Sequence, residues 1–449
     1  MGGEWKLHLV KELIKSGALI IGDGYRAKNS ELGGSGLHFA RAGNINAGFR
    51  FDGADCFPEE NLQRVGIKIS QPGDVVFTSK GTVGRFGFVR PETPRFVYSP
   101  QLCFWRAVDR ELIDPHFLFF WMFSREFFVQ FKGVAGQTDM AEYVSLADQR
   151  RMHITLPPLH EQRAIAHILG TLDDKIELNR RMNETLEAIA RAIFKSWFVD
   201  FDPVRAKAEG RDPGLPKHIA DLFPDRFEDS ELGEIPAGWQ ATRLRNVLAD
   251  LVSGARPKGG AVNDGVPSTG AENVIGLGHY DFSKEKFIPR EYYEKLKLKG
   301  AAVRAGDVLL YKDGAHIGRK TYFDCGFPHK DCAINEHVFI LRGIRSNEQR
   351  FLFFWLDQTW MTNEIISLNS SSAQPGINQP GVYRLPILMP PEGLINAFDQ
   401  LTQQSISRLF SNCNESRTLA ALRDTLLPKL ISGKLRVKDV ERFVPRECS

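Results

Sequence analysis

Residues 157–199 carry the longest regular pattern of apolar and polar positions in the chain. Apolar or small side chains recur at Ile165, Leu169, Leu172, Ile176, Leu186, Ala190 and Ile193, and Asn179 and Asn183 stand at the two steps that an alternating four-three spacing leaves open. This is a heptad seam with a polar middle, and it predicts one long helix. Pro157 and Pro158 suit its first turn, where backbone N–H groups have no intrahelical partner, and Glu161 complements the positive end of the helix dipole. At 1.5 Å per residue, some forty residues make a rod of roughly 60 Å, too long for the interior of a small domain. The seam needs a partner.

The chain supplies one. Pro157-Pro158 returns as Pro390-Pro391 (390 − 157 = 233), and Thr185-Leu186 returns as Thr418-Leu419 at the same displacement. The seam then falls on Phe398, Thr402, Ser405, Leu409, Asn412, Ser416, Leu419, Arg423 and Leu426, which is more polar but matches Asn412 to Asn179. The flanking segments repeat too: Trp5 with Trp239, Gly73-Asp74-Val75 with Gly306-Asp307-Val308, and Phe117-Leu118-Phe119-Phe120-Trp121 letter for letter with 351–355. A repeat this long is a duplicated domain plus helix, not a solenoid unit. The predicted organisation is a domain at 1–156, a helix at 157–199, a linker at 200–236, a domain at 237–389, a helix at 390–432 and a tail at 433–449. The fold class is α+β: two similar α/β domains separated by two long helices that form an antiparallel coiled coil, with an internal pseudo-twofold repeat.

Composition adds limits. With 42% hydrophobic and 25% charged residues in 449, the chain has ample core for two or three soluble domains. Its longest apolar run, 117–123, is far short of a membrane span, and MGGEWKLHL lacks the apolar stretch of a signal peptide, so the expectation is a cytoplasmic protein with no membrane partner. Cys56, Cys103, Cys325, Cys332, Cys413 and Cys448 include no CxxC spacing, which indicates neither a disulfide framework nor a zinc site. A net charge of +3 permits nucleic-acid binding without arguing for it.

In the first domain a short helix is predicted from Trp5 to Lys15, then strands over Val75–Thr78, Phe86–Val89 and Leu102–Ala107, and a helix from Asp114-Pro115. Gly22-Asp23-Gly24-Tyr25-Arg26-Ala27 fits a GxGxxA dinucleotide fingerprint. The Gly- and Ser-rich stretch that follows is not helical, and no acid stands about twenty residues on to hold a ribose, so a glycine turn is the reading. The repeated FLFFW block suggests a stacking platform for bases, but consecutive large apolar residues with no polar face describe a core helix. The segments after each Gly-Asp-Val are better candidates. Lys80-Gly81-Thr82-Val83-Gly84-Arg85 and Asp313-Gly314-Ala315-His316-Ile317-Gly318-Arg319-Lys320 each set an Arg after glycines, which permit close approach to a phosphate, while Arg addresses phosphate or guanine. The alternative is a plain hairpin with solvated bases. Lys80, Arg85, Lys312, Arg319 and Lys320 are therefore candidate DNA contacts, with Arg256 and Lys258 in the Arg256-Pro257-Lys258 loop; Asn263–Thr269 is a further candidate loop. The prolines of 200–236 exclude a long regular element and predict a surface connector, and Ser432-Gly433-Lys434 predicts the stop of the second helix.

The stretches LPPLHEQRAIAHILGTLDDKIELN, WFVDFDPV, LFPDRFEDSELGEIPAGW and LISGKL resemble conserved regions of the specificity subunits of Type I restriction–modification systems, and the resemblance covers essentially the whole chain. It departs at the second helix, whose opening PPEGLINAF lacks the HEQ triplet of the first. The resemblance implies two target-recognition domains, each reading one half of a split, asymmetric double-stranded DNA target. It also implies an antiparallel helix pair, two methyltransferase subunits docked on it, and restriction/translocase subunits. The helix–helix interface is expected at Ile165, Leu169, Leu172, Ile176, Asn179, Leu186, Ile193, Phe398, Leu409, Asn412, Leu419 and Leu426. Geometry agrees, because a ~60 Å rod exceeds the roughly 34 Å of one DNA turn.

Catalytic motifs are missing from the sequence: there is no GxxxxGK[ST] phosphate loop, and neither Pro-Pro pair has the flanking residues of an amino-methyltransferase site. The expectation is a non-catalytic subunit with no metal or cofactor of its own, S-adenosylmethionine, ATP and Mg²⁺ belonging to its partners by resemblance. Two other readings remain in view. One is a Mg²⁺-dependent nuclease using Asp307 with Lys312 or Glu294 with Lys295, and the other is a coiled-coil scaffold that binds only proteins.

Overall fold

The computed structural model describes residues 5–45, 48–79, 84–135, 144–369 and 376–437, the side chains of 134 and 135 excepted. The chain divides into two compact units, one formed by residues up to Lys175 with those from Leu419 onward, the other by Ile176–Thr418.

Among its described residues the first unit holds nine strands: β1 Lys6–Leu9, β2 Leu19–Asp23, β3 Gly36–Ala40, β4 Cys56–Pro58, β5 Asp74–Thr78, β6 Phe86–Phe88, β7 Phe96–Tyr98, β8 Leu102–Ala107 and β9 His153–Leu156. They form a four-stranded sheet ordered β2-β8-β5-β6, a three-stranded sheet ordered β4-β3-β7, and the pair β1-β9. Every residue of β5 and of β8 is buried, as a strand covered on both faces requires. Alternation then separates two cores. Val75, Phe77 and Trp105 pack on Phe117, Trp121 and Phe127 of the helical side, and Val76 and Phe104 pack on Phe96 and Tyr98 of the smaller sheet.

The second unit begins its strands with a hairpin, β10 Phe227–Ser230 and β11 Gly233–Pro236. It continues with β12 Gln240–Arg243, β13 Leu248–Ser253, β14 Val266–Thr269, β15 Phe287–Ile288, β16 Val308–Tyr311, β17 Lys320–Tyr322, β18 Ala333–Ile334, β19 Val338–Gly343 and β20 Pro386–Met389. Its orders are β13-β19-β16-β17, β15-β14-β18 and β12-β20, the first unit's pattern strand for strand. Even the pairing sense is kept: β3 runs parallel to β7 and β14 parallel to β18. The FLFFW blocks lie in helices Pro115–Trp121 and Gln349–Leu356 and face the core, Phe119 alone among the ten being only half-buried. Asp114 caps the first of these helices by accepting from the N–H groups of His116 (3.0 Å) and Phe117 (2.9 Å).

The two long helices span Leu159–Phe198 and Glu392–Ile431, and in both units they meet in reverse order. In the first unit Ile165 and Leu169 share a core with Leu427, Leu430 and Ile431, and Arg423 donates to Asp173 at 2.7 Å. In the second, Asn179 and Asn412 are both fully buried. Asn179 Nδ2 donates to Glu415 (2.8 Å) and Ser416 (3.3 Å), and Asn412 Nδ2 donates to Asn183 (2.9 Å). Phe398 and Leu409 are buried, whereas Leu172, Ile176, Leu186, Ile193, Leu419 and Leu426 are half-buried. The heptad reading chose Ile193, but its neighbour Phe194 is the fully buried residue, packed with Phe198 on Phe351, Phe354 and Phe398. A straight helix drifts from a 3.5-residue repeat, and this end of the helix packs on a globular core as well as on a helix.

Three further expectations are corrected. The segment predicted as a helix from Trp5 is strand up to Leu9, paired antiparallel with β9, and only Val10–Lys15 is helical. The stretch 200–236 is more than a surface connector: it contains helix Asp202–Ala208, and Val204, Ile219, Phe223 and Ile235 are buried in the second unit's core. Gly24 does not serve a turn: a Cβ there would lie 1.9 Å from the Ser99 carbonyl oxygen, and one on Gly254 in the second unit 2.1 Å from that of Ile334. Close backbone approach excludes any side chain at either position. Among the described residues no helix is long and apolar enough to cross a membrane.

Candidate nucleic-acid interface

Each Gly-Asp-Val opens the strand that leads to a candidate hairpin, and its Asp is a structural lock. Asp74 accepts from the Gln71 N–H (2.9 Å) and from Arg106 through Nε (2.6 Å) and Nη2 (2.7 Å). Asp307 accepts from the Arg304 N–H (2.8 Å) and from Arg342 through Nε (2.7 Å) and Nη2 (2.6 Å). Such buried bidentate pairs fix neighbouring strands, here β5 to β8 and β16 to β19. In the first unit Tyr98 adds its hydroxyl to Asp74 at 2.6 Å; burial, with the carboxylate beside it, holds that hydroxyl protonated far above its ordinary range. The Asp307–Lys312 pair of the nuclease reading is thereby taken apart. Both Asp307 oxygens serve Arg342, while Lys312 Nζ donates to Ser253 Oγ (2.8 Å) and lies 4.7 Å from the Phe339 ring centre. Glu294 and Lys295 are exposed on helix Arg290–Leu298.

Both strands end in the same pair of closing backbone hydrogen bonds. Thr78 N–H donates to Arg85 O (3.0 Å) and Gly84 N–H to Thr78 O (3.4 Å); Tyr311 N–H donates to Arg319 O (2.8 Å) and Gly318 N–H to Tyr311 O (3.0 Å). Gly84 and Gly318 have φ of +94° and +87°, the left-handed conformation this turn demands. Arg85 and Arg319 thus occupy equivalent positions. Arg85 is half-buried and donates from Nη1 to Ala42 O at 3.3 Å. Arg319 is exposed, and its guanidinium makes no hydrogen bond or ion pair with the described residues. Lys80 lies outside the described residues.

The other candidate cations part company. Lys320 is 4% exposed; its Nζ donates to Thr362 Oγ1 (2.7 Å) and stands 3.4 Å from Asp357, and burial lowers its pKa. It is an interior residue of β17 and does not face solvent. Lys312 is half-buried, with its pKa lowered by burial. Arg256 is exposed and paired with Glu336, and Lys258 is exposed without an ion pair among the described residues. Arg256, Ser268, Lys286, Asn335 and Glu336 line a cavity of about 180 Å³. The end of the loop expected over Asn263–Thr269 is strand β14, because Ser268 and Thr269 pair with Ala333 and Ile334.

A neighbouring element carried no repeat signal in the sequence. The turn Ser99-Pro100-Gln101 follows β7, and Asn335-Glu336-His337 follows β18. The carbonyl of Gln101 accepts from Ser79 N–H (3.0 Å), and that of His337 from Lys312 N–H (3.1 Å). These two turns therefore sit against the two hairpins in the same way, although they share no residue.

Comparisons with known proteins agree with one another. Residues 34–188 match the family model described as the Type I restriction modification DNA specificity domain. The chain is 26% identical over 414 residues to the Type I restriction enzyme HindI specificity subunit of Haemophilus influenzae, covering 82% of this chain and 88% of that one. It is 23% identical over 388 residues to the MjaIX specificity subunit of Methanocaldococcus jannaschii, covering 85% and 82%. The crystal structure of the Type I restriction-modification S subunit from M. genitalium superposes with a TM-score of 0.57 at 13% identity, over 95% of this chain and 96% of that one. At that identity the likeness is one of fold.

Proposed function

We propose that this chain, which belongs to the specificity subunits of Type I restriction–modification systems, reads a bipartite and asymmetric double-stranded DNA target, one half-site through each recognition domain. It is the DNA-recognition subunit of its complex and leaves the chemistry to its partners. The helix pair sets the spacer between the half-sites and docks two methyltransferase subunits, with restriction/translocase subunits joining the assembly. S-adenosylmethionine, ATP and Mg²⁺ are then used by those partners, in the cytoplasm. The observation that carries this reading is the duplicated domain itself. Both copies carry the same buried Asp–Arg lock and the same closing hydrogen bonds, and place an Arg at the same position, Arg85 or Arg319, while neighbouring side chains differ.

The test is a chimera in which residues 1–156 are exchanged for the first domain of another specificity subunit. Methylome sequencing should show a change in one half of the methylated motif, with the other half and the spacer length retained. A change in both halves would mean that the domains do not read independently.

A further inference from the structure

We propose, on the strength of that reading, that Gln101 in the first domain and His337 in the second are specificity-determining residues, the side chains that make the two half-sites differ. Arg85 and Arg319 cannot do this, since an identical residue at an equivalent position gives both domains the same contact. A discriminating residue has to stand beside them on an equally rigid support, reach solvent, and differ in hydrogen-bonding pattern between the two copies. Gln101 and His337 meet all of these conditions.

Their placement comes from the ladder. Ser79 and Lys312 are the first residues beyond β5 and β16, and they donate to Gln101 O and His337 O. The preceding residues, Thr78 and Tyr311, donate to Arg85 O and Arg319 O. The two positions therefore lie one step apart on opposite sides of the same strand end. The support is rigid because the turns are pinned to the parallel strand pairs: Ser99 N–H donates to Ala40 O (3.0 Å) and Asn335 N–H to Thr269 O (3.0 Å). Ser99 and Leu102 are 2% and 0% exposed, and Asn335 and Val338 are 8% and 0%. Between those buried anchors Gln101 is exposed and the His337 side chain is 37% exposed.

The chemistry diverges at this point. Gln101 is a neutral amide whose Oε1 accepts from Ala42 N–H at 3.5 Å, and Ala42 is the residue whose carbonyl receives Arg85. In the second domain Asp313 Oδ1 lies 2.7 Å from His337 Nδ1 and Glu336 Oε1 lies 3.4 Å from Nε2, with Glu336 also holding Arg256. An amide offers an acceptor and a donor side by side, the complement of the N6/N7 edge of adenine in the major groove, and an imidazole clamped by a carboxylate cannot present that pair. The first half-site thus contains an adenine facing Gln101, and the corresponding base pair of the second half-site is read differently.

The experiment uses the assembled methyltransferase complex with full-length chains: wild type, Gln101→Ala and His337→Gln. A target is first selected from random duplexes with the wild-type complex, and each complex is then titrated with every single-base-pair variant of it. Gln101→Ala should lose roughly tenfold or more of the discrimination at one A·T pair in one half-site. His337→Gln should change the preference at one pair in the other half-site. Both residues reach solvent, so melting temperatures should match wild type and exclude misfolding as the cause. A two-part wild-type preference left unchanged at every position by both variants overturns this assignment alone. A wild-type complex with no two-part preference overturns the functional reading and the assignment together.

Discussion

Beneath their hairpins the two repeated domains place opposite chemistry at equivalent positions. In the first, Phe86, the residue after Arg85, packs against Phe123 with ring centres 4.8 Å apart and also against Phe127 and Phe128. In the second, Lys320 follows Arg319, and the place of Phe123 is taken by Asp357, which binds Lys320 and also Arg191 of the first long helix, itself paired with Glu187. Backbone topology is the same in both. A cluster of rings needs no partner to be buried, whereas a buried ammonium is tolerable only because Asp357 and Thr362 receive it. The fold therefore accepts at this position either a partly exposed cluster of rings or a buried, paired ammonium. Lys320 reads as a surface cation in the sequence because Asp357 and Thr362, which receive it, are distant in the chain.

The largest effect should come from the feature the domains share. Asp74→Ala or Asp307→Ala strands a buried guanidinium, and each should cost about 3–5 kcal/mol of the stability of its own unit in denaturant unfolding. Asp74→Ala should cost the more of the two, since Tyr98 loses its acceptor as well. Equal and small losses would mean that the locks are not structural.

A medium effect should come from the feature that differs. Asp357→Ala leaves Lys320 buried without its carboxylate and should cost about 2–3 kcal/mol. The double substitution Lys320→Phe with Asp357→Phe recreates the aromatic pair of the first domain. It should be less destabilising than the sum of its single changes by roughly 0.5–3 kcal/mol. A strictly additive cycle would show that the two positions do not share one space.

The smallest effect on stability should come from the hairpin Arg residues. Arg85→Ala and Arg319→Ala should stay within roughly 0.5 kcal/mol of wild type in unfolding. In DNA titrations of the assembled complex each should weaken binding similarly for specific and scrambled duplexes and lower the salt slope by about one unit, as loss of one phosphate contact does. Unchanged affinity and slope in both variants would reduce the hairpins to structural turns.

The sequence by itself determined the features that depend on local period and on repetition. Heptad spacing located the first long helix and the repeat located the second, their shared Asn positions marked the polar middle that Asn179 and Asn412 form, and the two FLFFW blocks declared a duplicated core. Short-range geometry sufficed for these, because a 3.6- or 3.5-residue period and five adjacent apolar residues have the same meaning in most contexts. Tertiary structure decided whatever depends on neighbours distant in the chain. Lys6–Leu9 became a strand because its partner is His153–Leu156, Phe194 displaced Ile193 because a globular core lies against that end of the helix, and Lys320 went inside because Asp357 waits there. Gln101 and His337 belong to this second group. Nothing in their letters relates them, and only the two equivalent backbone hydrogen bonds from Ser79 and Lys312 bring a glutamine and a histidine to the same place in two copies of one fold.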